Sequence, residues 1–360
     1  MPIFKDYLTK EKNITDKVLS EVLDQKTAEA TEADENFGLM MQRITDQVLR
    51  GGKRARPLLV RLGYKLGGEE MTDDVVKASL FPELIHQYLL VHDDIVDQDL
   101  MRYGSDTLEV VFGRWFGEVH GVNSKLQQHY GRSMAMLVGD HLRTLGYQLL
   151  HETDFDSDAK VEALTLMESV LSDTLLGWQI QYHLNFEDID PEQEARFMRG
   201  LELVTSRYSF EAPLMVGVIL AGKANEFGEG VREYSRHVGI AFQLMDDILG
   251  VFGELDKTGK PVGNDIREGK KTLLVLKAFE KADHEDQQFL KQVLGRDISE
   301  SELERVQQII TDSGSLDANR KLANQHVKSA VGALKVMRSG DAVAIKKLEE
   351  LAKFMVERDY

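Results

Sequence analysis

Residues 78–97 read ASLFPELIHQYLLVHDDIVD. Phe81, Leu84, Ile85, Tyr88 and Leu89 fall at i, i+3, i+4, i+7 and i+8, and His92, Ile95 and Val96 prolong the stripe. That spacing predicts a helix over 78–97, kinked at Pro82 or effectively starting there. Its far end carries Asp93 and Asp97, one turn apart on one face. Like charges so placed weaken an isolated helix by a few tenths of a kcal/mol, so the pattern makes most sense if a cation compensates. Carboxylates with no Cys or His partner suit Mg²⁺, which bridges one or two of them to substrate phosphates. A solvated acidic helix end remains the plainer reading of this motif taken alone.

A second acidic helix, predicted over 231–252, changes that balance. Its apolar stripe is Val238, Ala241, Phe242, Met245, Leu249 and Phe252, while Gln243, Asp246, Asp247 and Gly250 share another face. Such a helix usually bounds a site between helices. Two facing carboxylate helices with Mg²⁺ between them would clamp a diphosphate and ease C–O cleavage toward a carbocation. Cations adjoin both clusters: Lys53, Arg54 and Arg56 in GGKRARP, Arg102 after the first cluster, and Lys260, Lys270 and Lys271 after the second. Lysine and arginine serve phosphate as point charge and fork. His86, seven residues before Asp93, lies only about 20° around the helix from it.

Outward from these segments the chain still reads helical. Patterns cover 161–183 and 197–222, and 283–360 alternates charge with Leu, Ile and Val. Six prolines in 360 residues permit this; Leu108–Phe112 is the one modest strand candidate, and Gly51–Pro57 and Gly253–Lys271 read as loops. The expectation is one all-α domain over 1–360, with 1–36 an N-terminal helical extension. The absence of Cys excludes disulfides, thiolate zinc and cysteine nucleophiles. A net charge of −17 argues against a nucleic-acid partner, though local cations could still hold a small anion. No signal peptide and no membrane span are read, so a cytoplasmic location is expected.

With these motifs in order, the sequence resembles the trans-isoprenyl diphosphate synthases of the polyprenyl synthetase family. GGKRARP resembles the family's GGKxxRP, HDDIVD its first aspartate-rich motif, and FQLMDD with TGKPVGNDIREGKKT its second, all within 40–275. The resemblance implies an isoprenoid synthase-type helical bundle around a deep central cavity, a homodimer and three Mg²⁺. It implies head-to-tail condensation of isopentenyl diphosphate with an allylic diphosphate. By position, Lys53, Arg56 and His86 would bind isopentenyl diphosphate. Asp93, Asp97 and Asp246 would ligate Mg²⁺ with Asp94 and Asp247 assisting. Arg102 and Lys260 would hold the allylic diphosphate with Lys270 nearby, and Thr205 and Gln243 would line the cavity.

Three positions depart from the family pattern. Tyr103 stands where a second arginine is common, Val204 where a lysine precedes the threonine, and Gly250 where the second motif often ends in Asp. Arg207, three residues beyond Val204, could compensate for the missing lysine. Tyr88, about 7.5 Å along the axis from Asp93, occupies a position that the family associates with stopping the chain near C15–C20. That favours geranylgeranyl diphosphate, with farnesyl diphosphate next. A terpene cyclase would not need the GGKRARP loop, and an HD-type phosphohydrolase would leave the second acidic helix unexplained. A helical partner subunit draws its support from Tyr103 and Val204.

Overall fold

The computed structural model describes residues 2–253 and 262–357, with the side chains of residues 2 and 3 left aside. The chain divides into two compact units, Met1–Arg61 with Glu70–Lys160, and Leu62–Glu69 with Val161–Tyr360.

The first unit holds α1 (Pro2–Ala33), α2 (Glu35–Arg50), the start of α3 (Ala55–Leu66), α4 (Asp73–Val96), α5 (Leu108–His120) and α6 (Ser124–His151). α1 and α2 pack on each other, and α4 and α5 both pack on α6. α4 starts at Asp73, ahead of the predicted Ala78, because Thr72 caps it by accepting from the Val75 N–H and two aspartates fill its first turn. Pro82 neither begins nor ends it; the helix runs through. The strand candidate Leu108–Phe112 is instead the first turn and a half of α5. Close approach to α6 decides this: a Cβ on Gly131 would lie 2.1 Å from the Glu109 carbonyl oxygen, and one on Gly113 would lie 2.9 Å from that of Gln127. Among the described residues the strands are β1 (Met101–Arg102) and β2 (Ser105–Asp106), a two-residue-loop hairpin directly after α4.

The second unit contains most of α7 (Ser157–Phe186), then α8 (Glu194–Leu201), a π-helix (Glu202–Glu211), α9 (Ala212–Leu220) and α10 (Ala224–Phe252). It continues through α11 (Asn264–Arg267), α12 (Leu273–Lys281), α13 (His284–Val293), α14 (Glu300–Asp312), α15 (Ser315–Ala333) and α16 (Ala342–Val356). α10 is its axis, packed on α15, α16 and the π-helix. Leu244, Ile248 and Val251 of α10 join Ile266, Leu274, Val306, Ile310 and Ala323 in one buried cluster. The helix predicted over 197–222 is thus three pieces; its π-helical middle spans Thr205. Among the described residues, no helix is long and apolar enough to cross a membrane.

One polar pair crosses the α10–α15 packing. His237 Nδ1 and His326 Nδ1 lie 2.9 Å apart, so one ring donates and the other accepts. Burial, with His237 and Arg236 adding positive charge, pushes His326 down from 6.5 to about 4. The unfolded chain therefore takes up a proton in that window which the folded chain refuses, and stability falls as pH drops from about 6.5 toward 4. Because both rings keep some solvent, we expect this pair to account for about 1–2 kcal/mol of the loss. Urea unfolding of wild type and His326→Asn at pH about 7 and about 4.5 reads it. Equal losses in both proteins would show that the pair does not titrate in this way.

Candidate active site

The GGKRARP segment is a short loop running into a helix. Gly52 has φ +100°, and Arg54 has φ +52°, a left-handed value that few non-glycine residues adopt. Arg54 pays for that strain with contacts in the core. It is 2% exposed. Its Nε donates to Asp16 Oδ1 at 2.7 Å, Nη1 to Glu83 Oε1 at 2.7 Å and Nη2 to the Val48 carbonyl at 2.7 Å. It thereby ties the loop to α1, α4 and α2. Lys53 is exposed and Arg56 half-buried in the first turn of α3. The three cations of the loop are thus not equivalent, since Arg54 faces inward as an anchor. His86, one turn along α4 from Glu83, is pushed well below 6.5 by burial and by the charges of Arg56, Arg102 and Arg54. It is neutral at pH 7 and can offer a ring N–H to an anion beside those cations.

At the end of α4, Asp93 and Asp97 are half-buried and Asp94 is buried. Asp97 caps the helix, its N–H donating to the Asp93 carbonyl at 2.8 Å. Arg102, reaching back from β1, donates from Nε to Asp94 Oδ1 at 2.5 Å and from Nη2 to Asp93 Oδ2 at 3.2 Å, and lies 3.7 Å from Asp99. Burial raises Asp94 to about 6 against the opposing pull of Arg102, with Asp93 and Asp99 adding to the rise. The cation that this acidic helix end requires is, in this arrangement, Arg102. At the hairpin tip Tyr103 has φ +52° and Gly104 φ +73°, the pair of left-handed residues that a two-residue type I′ hairpin needs. The Tyr103 ring lies on Gly51, where a Cβ would come within 2.6 Å of the ring. The residue standing in for an arginine therefore covers the glycine loop.

Tyr88 is 6% exposed and meets His92 edge to face, centroids 4.7 Å apart. Both lie against Gly139 of α6, where a Cβ would be 2.4 Å from the His92 ring and 3.4 Å from that of Tyr88. Its side chain belongs to the α4–α6 packing.

In the second unit, Thr205 Oγ1 donates to Gln243 Oε1 at 2.9 Å and Gln243 Nε2 donates to Asp247 Oδ1 at 2.9 Å. Three predicted site residues are thus joined in one hydrogen-bonded line. Gly239 allows it, since a Cβ there would lie 2.4 Å from Ser206 Cα of the π-helix. Asp246 is exposed; Asp247 is 5% exposed and its Oδ2 has no hydrogen-bond partner among the described residues. Burial, then Asp265 and Asp246, hold Asp247 well above the usual carboxylate range, with Gln243 and Lys270 pulling the other way. Val204 packs against Gly177 of α7. Arg207, the residue that could compensate for the missing lysine, pairs with Asp173 and, at 3.5 Å, with Glu211. Lys270 pairs with Glu268 and lies 3.5 Å from Asp265. Lys271 is buried, donating to the Leu184 and Asn185 carbonyls that end α7. Lys260 lies outside the described residues.

Both acidic groups suit a hard divalent ion: they offer carboxylate oxygens, and Asp247 presents a buried oxygen that no hydrogen bond satisfies among the described residues. Among the described residues no three His, Cys, Asp or Glu side chains close a metal cage by themselves. That is the ordinary condition for Mg²⁺, which keeps waters and completes its shell with phosphate oxygens.

Residues 39–312 match the family model for polyprenyl synthetase. The chain belongs to the polyprenyl synthetase family. It is similar to the geranylfarnesyl diphosphate synthase of Aeropyrum pernix, 34% identical over 312 residues, 86% of this chain and 91% of the relative. It is 32% identical over 309 residues to the octaprenyl diphosphate synthase of Escherichia coli, covering 86% and 87% of the two chains. Among solved structures, the geranylgeranyl pyrophosphate synthase of Corynebacterium glutamicum, complexed with isoprenyl diphosphate and magnesium, superimposes with a TM-score of 0.86. That match is 25% identical and covers 96% of this chain and 98% of the other. The activity class of this polyprenyl synthetase is therefore trans-prenyl transfer, and its all-α fold is that of the isoprenoid synthases.

Proposed function

We propose that this enzyme condenses isopentenyl diphosphate with a dimethylallyl, geranyl or farnesyl diphosphate to give an all-trans product of C15–C20, chiefly geranylgeranyl diphosphate. The observation carrying this reading is the division of labour around α4. Cations and a neutral histidine gather at the GGKRARP loop, carboxylates gather at the helix end, and Arg54 and Arg102 fix each group. Lys53, Arg56 and His86 hold isopentenyl diphosphate, the first two by charge and the third through a ring N–H. Asp93, Asp97 and Asp246 would ligate Mg²⁺, three ions by analogy with the family, with Asp94 and Asp247 supporting. Bound there, the ions would neutralise the allylic diphosphate as a leaving group.

The residues do the rest by position. Arg102, released from Asp93 and Asp94, turns to the allylic diphosphate together with Lys260 and Lys270. The Thr205–Gln243 line orients uncharged polar groups along the allylic chain. The C–O bond of the allylic substrate breaks, the alkene carbon of isopentenyl diphosphate forms the new C–C bond, and the departing diphosphate accepts the proton then lost. No protein nucleophile is required; orientation and exclusion of water suffice. A homodimer in the cytoplasm completes the reading.

Product length rests on Tyr88, whose bulk beside His92 and Gly139 would end the chain's path. Incubating the enzyme with labelled isopentenyl diphosphate and each allylic primer should give mainly C20 product, while Tyr88→Ala should shift the distribution to C25 and beyond. An unchanged distribution would remove Tyr88 as the stop. Release of hydrocarbon without use of isopentenyl diphosphate would overturn the reaction itself.

A further inference from the structure

Two glycines open the GGKRARP loop, and a different side chain covers each. A Cβ on Gly52 would lie 3.0 Å from Arg54 Nη1, and one on Gly51 would lie 2.6, 2.7 and 2.8 Å from Cγ, Cδ2 and Cδ1 of Tyr103. The near-equal distances set the face of the ring on the glycine. Gly51 itself has φ −151° and ψ −171°, extended backbone open to any residue. The ring, and not the chain's conformation, therefore leaves no space for a side chain there.

Tyr103 holds this place against its own backbone preference. A φ of +52° is an outlier for so bulky a residue, and strain of this kind gathers where a site is being held in shape. With 43% of its surface exposed, Tyr103 belongs to no core. The hairpin that carries it is fastened all the same. Arg102 bonds Asp93 and Asp94, and Thr107 donates from its N–H to the Leu100 carbonyl at 3.0 Å and from Oγ1 to the Asp99 carbonyl at 3.1 Å. The charges that act on the Tyr103 phenol are those of Arg102, Glu83, Arg54 and Arg56.

We propose that Tyr103 is a positioning residue for isopentenyl diphosphate: its ring, borne on the anchored hairpin, presses on Gly51 and fixes the glycine loop so that Lys53 and Arg56 meet the incoming diphosphate. Adjacent glycines give the segment before Lys53 wide backbone freedom, and the ring on Gly51 with the guanidinium on Gly52 takes that freedom away. Position 103 thus contributes shape where a second arginine would contribute charge. The inference rests on the function proposed above, and it assigns Tyr103 a role exerted through the loop rather than by touching substrate.

Steady-state kinetics of the full-length enzyme, varying each substrate with the other saturating, test it. The proteins are wild type, Tyr103→Asn, Tyr103→Phe, Gly51→Ala, the double variant Gly51→Ala with Tyr103→Asn, and Lys53→Ala. Asparagine removes the ring yet suits the left-handed turn, so the hairpin stays folded. We expect Tyr103→Asn to raise KM for isopentenyl diphosphate about tenfold, with kcat and the allylic KM within about twofold of wild type. Tyr103→Phe, which keeps the ring, should match wild type. Gly51→Ala should behave like Tyr103→Asn, and the double variant should be no worse than either single one, because a methyl group at residue 51 has nothing to meet once the ring is gone. Effects that multiply to about a hundredfold in the double variant would show the two residues acting separately and overturn the proposal. A loss in Tyr103→Phe equal to that in Tyr103→Asn would put the phenol on the substrate and overturn it too. So would a wild-type KM in Tyr103→Asn beside a raised one in Lys53→Ala. A KM for isopentenyl diphosphate unmoved by Lys53→Ala as well would overturn both this inference and the substrate site on which it rests.

Discussion

Asp93→Ala is expected to lower kcat by about 10³-fold with little change in melting temperature. Asp93 is half-buried at the end of α4, and its side chain pairs with Arg102 at 3.2 Å. Removing it leaves Arg102 on Asp94, to which it is already hydrogen-bonded, so no buried charge is stranded and the fold loses little. The charge of a departing diphosphate, by contrast, would lose one of its metal anchors at the moment it develops. Steady-state kinetics with saturating isopentenyl diphosphate, beside a thermal melt, separate the two effects. Retention of more than about a tenth of wild-type kcat would remove Asp93 from the ligand set.

The opposite profile is expected of Arg54→Ala, which should cost about 3–5 kcal/mol of folding stability. Its guanidinium is wholly enclosed and bonds two carboxylates and a carbonyl. Taking it away leaves Glu83, 1% exposed, with a buried charge that keeps the Gln87 Nε2 hydrogen bond at 3.2 Å but no longer has its guanidinium. The left-handed backbone at residue 54 is relieved only slightly in return. Asp16→Asn should cost less, because Asp16 keeps a quarter of its side chain in water. Urea unfolding measures both. A loss below about 1 kcal/mol for Arg54→Ala would show that the pair roughly cancels its own desolvation. Where the protein still folds, a raised KM for isopentenyl diphosphate with a smaller change in kcat would show that the anchor places Lys53 and Arg56.

What could be read from the sequence follows from how local each signal is. The stripe from Phe81 to Val96 and the Asp93/Asp97 spacing depend only on helix geometry, and α4 holds both. The same is true of α10 with Gln243, Asp246 and Asp247. Val110 and Val111 made Leu108–Phe112 look like a strand, and the glycines at 113 and 131 that let α5 and α6 close together carry no meaning until the partner helix is known. Arg54 looked like one more phosphate ligand because nothing in GGKRARP reveals which cation turns inward. Its partners, Asp16 and Glu83, lie 38 and 29 residues away. The π-helix around Thr205 is likewise a product of packing, not of pattern.

The family model begins at residue 39, yet one of the two carboxylates that hold Arg54 of its first glycine loop, Asp16, comes from α1. Glu11 and Thr15 of that helix also hold Arg61, by an ion pair at 2.9 Å and a hydrogen bond at 3.1 Å. A version trimmed to the matched segment would therefore keep every named motif, leave Arg54 with Glu83 but without Asp16, and take from Arg61 its acidic partner Glu11. Likewise, a chimera that borrows another synthase's leader would need acids in register with positions 11 and 16 before its substrate loop could settle. The first helix and the glycine loop are separable on paper but joined by ion pairs in the folded chain.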